Sequence, residues 1–251
     1  MDMNTPSPIS GFTPKKILLF LGGLWLAILC LSLAGQYLRM FPEHYGSLSA
    51  TGQDVVGDFI QAFDVNSEAN VTTYYSVSLA ILSSLLFLVV AYLKYADKDK
   101  YRLQWAMLGF LLFYISMDDA SVIHEKFSRY LKGMTDLGGW FEYKWVIIGI
   151  LAVVVIGIAF FRFWLHLDTR FKILFLLAGG MFFGGAVGFE LIGGRWAYSF
   201  GSKNFFYSVL TTFEQGLQYA GLTLMFYSLL LYLGSYAPQL NVSIATKKEG
   251  E

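Results

Sequence analysis

The run Ser116-Met117-Asp118-Asp119-Ala120-Ser121-Val122-Ile123-His124-Glu125 places three carboxylates and an imidazole in an otherwise apolar part of the chain. Side chains of these types bind cations and exchange protons. On a helix turning about 100° per residue, Asp118 and Glu125 nearly eclipse one another, with Ser121 and His124 on the same side and Asp119 pointing elsewhere. The spacing therefore predicts a polar stripe of Asp118, Ser121, His124 and Glu125. Two further acids, Glu190 and Glu214, stand in later apolar stretches, and Gln218 lies one helical turn from Glu214.

Ionisable groups in a hydrocarbon setting cost several kcal/mol unless paired, hydrated or metal-bound. Carboxylates gathered there would repel, so some are protonated, or Arg195 and neighbouring bases neutralise them, or a cation sits among them. Asp118, His124, Glu125, Glu190 and Glu214 form an oxygen-rich candidate ligand set, suited to iron, manganese, magnesium or calcium better than to zinc. Asp118, Glu125 and Glu214 are also the candidate catalytic groups. Asp119, Ser121, Gln218 and Arg195 are expected to support them.

Positioning such a set requires helices in a membrane. The chain has 251 residues, of which 56% are hydrophobic and 14% charged, with a mean hydropathy of +0.53. Soluble domains carry about 25% charged residues. Runs long enough to cross a bilayer occur at Ile17–Leu38, Tyr74–Leu93, Leu103–Ile123, Trp145–Leu165, Phe171–Ile192 and Phe206–Leu233. The expected fold is all-α: a polytopic bundle of six transmembrane helices over 17–234, with cytoplasmic tails at 1–16 and 235–251. The first run is longer than a signal-peptide core and is expected to stay as a span.

Basic residues set the orientation. Lys15, Lys16, Lys94, Lys98, Lys100, Arg102, Arg162, Arg170, Lys172, Lys247 and Lys248 fall on one side, expected to be cytoplasmic, and Lys126, Arg129 and Lys132 weaken the contrast. Both termini then face the cytoplasm. Spans three and five end, and span six begins, at the opposite surface, which would bring Asp118, Glu190 and Glu214 together. Gly180, Gly184 and Gly188, four residues apart, form a small-xxx-small pattern that allows close helix approach.

The first outer loop, 39–73, contains Val55, Val56, Phe59, Ile60 and Phe63 at helical spacing, which predicts a short amphipathic helix. It could lie over the bundle or act as a lid. Asp64-Val65-Asn66-Ser67-Glu68-Ala69-Asn70 alternates oxygen-bearing side chains like the start of a calcium loop, but Ala69 replaces the turn glycine. His44 could approach the site from this loop, whereas His166 lies on the cytoplasmic side. Trp140, Trp145 and Trp196 read as interfacial anchors. Cys30 is the single cysteine, so no disulfide forms within the chain.

The stretch from Phe63 to Glu125, with Phe-Asp-Val-Asn-Ser-Glu-Ala-Asn before the second span and Ser-Met-Asp-Asp-Ala-Ser-Val-Ile-His-Glu closing the third, resembles a family of uncharacterised bacterial multi-pass membrane proteins. The likeness continues through Glu190-Leu191-Ile192-Gly193-Gly194 and Phe213-Glu214-Gln215. It implies residence in the bacterial inner membrane and no established activity. Members carry Asp-Glu where this chain has Asp118-Asp119, and a further acid where it has Gln218. A looser likeness is to ceramidase and progestin-receptor-like membrane hydrolases, whose zinc sites use three histidines; this chain has only three in all.

Zero net charge and the lack of a basic face exclude nucleic acid as a partner. Three functions remain: a membrane metalloenzyme, hydrolase or oxidoreductase, with its site open to the periplasm; a cation- or proton-coupled transporter; and a non-catalytic subunit assembled with other membrane subunits.

Overall fold

A computed structural model describes residues 13–132 and 138–236, and the described residues contain helices and connecting turns but no strand. The expected cytoplasmic tails therefore lie almost wholly outside the described residues. Thr13 caps the first helix, α1 (Pro14–Met40), its hydroxyl accepting from the Lys16 amide at 3.3 Å, and proline opens the first turn. A second helix, α2 (Ala50–Phe63), lies where the amphipathic pattern predicts one, and its Ile60 packs on Gly35 of α1. Asn70 then caps α3 (Val71–Ala96) through bonds from the Thr72 and Thr73 amides.

A tight turn leads into α4 (Arg102–Ser121), which pairs closely with α3 because Gly109 lets the Leu88 and Phe87 side chains approach and its carbonyl accepts from Ser84. The predicted third span does not continue straight to Glu125. Val122 adopts φ +59 and closes α4 with a left-handed cap, so α5 (Ile123–Lys132) departs at 68°. A β-branched residue there stores roughly 1–3 kcal/mol of strain. The chain returns as α6 (Trp145–His166), then α7 (Thr169–Phe183), a π-helical turn (Gly184–Phe189), α8 (Glu190–Phe200) and α9 (Phe205–Tyr236).

Five helical stretches, Pro14–Met40, Val71–Ala96, Trp145–His166, Thr169–Phe200 and Phe205–Ser235, are long and apolar enough to cross a bilayer, and α4 with α5 adds a sixth when the bent pair counts as one. The chain is thus a helical membrane protein with five or six spans. One end of the bundle is closed by aromatic rings: Trp105 meets Tyr232 at 4.6 Å, Phe163 at 5.1 Å, and Phe87 and Phe175 at 5.9 Å.

The α7–α9 crossing uses glycines other than those expected. Gly180, Gly184 and Gly188 face open space. Gly185 and Gly221 make the contact instead: a Cβ at Gly185 would lie 2.7 Å from the Glu214 carbonyl oxygen, and one at Gly221 would lie 2.6 Å from the Phe182 nitrogen. The repeat of four assumed regular α-helix through this region, but the π turn at Gly184–Phe189 adds a residue to the turn and changes which side meets α9.

Candidate functional site

A cavity of about 620 Å³ lies among α3, α4, α6, the π turn and α9, at the end of the bundle opposite the aromatic cluster, and Glu68, Asp118, Asp119, Glu125, Glu190 and Glu214 line it. Among the described residues, His124 is the only basic side chain that lines it. The sequence-predicted acids therefore meet in one chamber, though not in the expected arrangement.

The break at Val122 determines what the third span presents. Instead of a straight stripe, α5 folds back so that His124 Nδ1 lies 2.9 Å from Asp118 Oδ2. Ser121 is exposed at the corner, where its carbonyl accepts from Lys126 Nζ, and is absent from the lining. Asp119, expected to point elsewhere, lines the cavity and accepts from the Ser76 hydroxyl of α3 at 2.6 Å. Glu125 is on the wall but exposed.

The π turn sets the other wall. It delivers Glu190 to the first position of α8, where the carboxyl accepts from Trp145 Nε1 at 3.4 Å and lines the same cavity as the Glu214 carboxyl. Gln218 donates to Glu214 Oε1 at 3.3 Å. An ionised carboxylate only accepts, so two carboxyls can hydrogen-bond each other only with a proton on one of them. Trp145 joins the two halves, its ring meeting the His124 ring edge-on at 5.1 Å. It is a site residue, a role its place at a span end did not suggest. Tyr143 and Tyr207, whose hydroxyls lie 2.6 Å apart, complete this wall.

Other expectations fail for local reasons. Arg195 is exposed on α8, donates to Ser199 at 2.7 Å, and neutralises none of the cavity acids. His44 stays in the loop, bonded to Tyr37 at 3.3 Å, and His166 stacks on Tyr101 at 4.7 Å. The Asp64–Asn70 run is a lock and not a calcium loop: Asp64 is buried and accepts from Gln36, Arg39, the Asn66 amide and Ser67. This lock presents Glu68 to the cavity, a contribution the sequence reading missed because Glu68 was grouped with the loop acids.

Glu68 lies outside the spans, and its carboxyl is pushed up from 4.5 to about 7 by burial first, then by the negative charges of Glu125, Asp119 and Asp118, against the opposing pull of His124. A raised acid holds its proton in the fold after the unfolded chain has released it. Its effect on stability is therefore unfavourable once ionised: stability falls as pH rises from about 4.5 through about 7. Glu68→Gln should flatten that slope in thermal unfolding followed across the same interval. An unchanged slope would show that Glu68 is not the group responsible.

Among the described residues, no three His, Cys, Asp or Glu side chains converge on one point as a metal centre. Over residues 17–233 the sequence matches a family described as a domain of unknown function (DUF8692). No curated protein and no solved structure matches it.

Proposed function

Because the chain belongs to the DUF8692 family, which carries no assigned function, we propose a reading from the geometry: a membrane-embedded enzyme that performs acid–base chemistry on a polar group admitted to the cavity. The topology that goes with it is six spans in a bacterial inner membrane, both termini cytoplasmic, α2 at the outer surface and the cavity open to the periplasm. The distribution of lysine and arginine supports that orientation.

The observation that carries the proposal is that two pairs of ionisable groups, Asp118 with His124 and Glu190 with Glu214, face one chamber, with Trp145 touching both His124 and Glu190. Asp118 orients His124 through Nδ1, and Nε2 has no hydrogen-bond partner among the described residues. That is the arrangement of an imidazole base held by a carboxylate. Glu190 and Glu214 hold the proton that is returned. The aromatic closure at the other end argues against a transport route.

Titration calorimetry with propylammonium chloride in buffers of different ionisation enthalpy tests this reading. Entry of a cation beside Glu190 and Glu214 should expel their shared proton, so wild-type protein should release about one proton per cation bound and Glu214→Gln none. Equal proton release from both would refute the acid pair's role.

A divalent metal is the second reading. It is favoured by the Asp118–His124 bond, since ligating histidines commonly donate their other nitrogen to a carboxylate. Asp118, His124, Glu125, Glu190 and Glu214 are its candidate ligands, and they would have to rotate to converge. Elemental analysis beside Asp118→Ala, Glu190→Ala and Glu214→Ala decides: stoichiometric iron, manganese, magnesium or calcium lost in all three would establish the metal.

A further inference from the structure

Below the acidic chamber lies a second cavity of about 560 Å³ with an almost wholly apolar lining. Leu111, Ile115, Ile156, Phe182, Phe183 and Leu222 line both, so the two chambers adjoin across these side chains. Two of the contributing helices, α4 and α9, change from acidic to apolar along their length. On α4, Asp118 and Asp119 give way to Leu108 and Leu112; on α9, Glu214 and Gln218 give way to Met225. Along α6 the lining runs from Trp145 to Trp164, a length of roughly 28 Å at 1.5 Å per residue.

A space that is acidic at one end and apolar along the rest fits one class of occupant. We propose that the substrate is a cationic amphiphile, a long-chain amine or a lipid with an ammonium group, whose head sits among the acids and whose single hydrocarbon chain fills the apolar chamber. The proposal rests on the acid–base reading and assigns its substrate class. Charge complementarity selects the head, because the chamber has six carboxylate side chains and His124 as its only base. The tail chamber has room without rearrangement: a Cβ at Gly157, Gly179 or Gly180 would meet no atom within 4 Å. α6 buries only Val146 and Phe163 and so packs loosely on the bundle, which makes its flank the side for lateral entry in this proposal.

The test uses hexadecylamine bearing a diazirine in its tail, photolysed with the purified protein and mapped by peptide mass spectrometry. Adducts are expected on the apolar lining of α6, α7 and α9. Gly157→Phe, which fills the tail chamber from a position with free space, should cut that labelling at least tenfold while leaving proton release by propylammonium intact. Unlabelled hexadecylamine should compete and hexadecyl sulfate should not. Labelling unchanged in Gly157→Phe, or equal competition by the sulfate, overturns the substrate assignment and leaves the acid–base reading standing. The converse result, labelling as expected but no proton release from wild type, supports this inference and removes the acid–base chemistry.

Discussion

Gly221→Val should cost about 3 kcal/mol of stability, because overpacking at a rigid contact forces the backbone apart. A Cβ at Gly221 would lie 2.6 Å from the Phe182 nitrogen, 2.7 Å from the Ala178 oxygen and 2.9 Å from the Phe182 Cα. All three are backbone atoms, so no rotamer change relieves the clash and α7 must move off α9. That crossing also sets the distance between Glu190 and Glu214. The variant is expected to unfold at markedly lower temperature in detergent and to lose the monodisperse peak on gel filtration. Gly184→Ala is the matched control: its Cβ meets no atom within 4 Å, and alanine favours helix over glycine by up to about 1 kcal/mol. If the two variants melt alike, the close approach at Gly221 does not hold the bundle together.

The second large effect is expected at Asp64→Ala, again about 3 kcal/mol. Asp64 is 1% exposed and accepts from the Arg39 guanidinium at 2.6 Å, from the Asn66 amide and Ser67 hydroxyl at 2.9 Å, and from Gln36. The Arg39 side chain is 46% exposed, so its ion pair is screened and contributes little. The cost comes from Gln36, itself buried, which loses an acceptor it cannot replace with bulk water. The loop also carries Glu68. In Asp64→Ala, Glu68 should lose part of its burial and titrate closer to 4.5 than to 7, so the pH slope of stability should shift with the melting temperature. A stable variant with an unshifted slope would mean that the loop is held by other contacts.

The helical class and the helix positions were legible because they depend on quantities local to the sequence: length of apolar run, capping by Thr13 and Asn70, and the helical spacing of Val56, Phe59, Ile60 and Phe63. The meeting of Asp118, Glu190 and Glu214 followed from which end of each span they occupy. What escaped the sequence was set by two departures from regular helix. Valine is a poor residue for a left-handed cap, so nothing local announced the break at Val122 that folded His124 back onto Asp118 and put Ser121 on the corner. The π turn likewise has no firm spacing signature, and it transferred the close contact from Gly184 to Gly185. The site role of Trp145 was hidden for a different reason: a tryptophan at a span end is ordinarily an anchor, and only the arrangement of α6 against α8 reveals its bond to Glu190.

The aromatic closure around Trp105 has an electrical consequence. The acidic mouth is the polar route by which protons on Glu190 and Glu214 exchange with water, while the opposite end is lined by rings, so the pair should equilibrate mainly with the compartment that mouth faces. A charge displaced within that chamber crosses only a part of the transmembrane field, whereas a full crossing corresponds to about 2.3 kcal/mol per elementary charge at 100 mV. The protonation of the pair should therefore follow the pH of the compartment it faces and respond weakly to membrane potential.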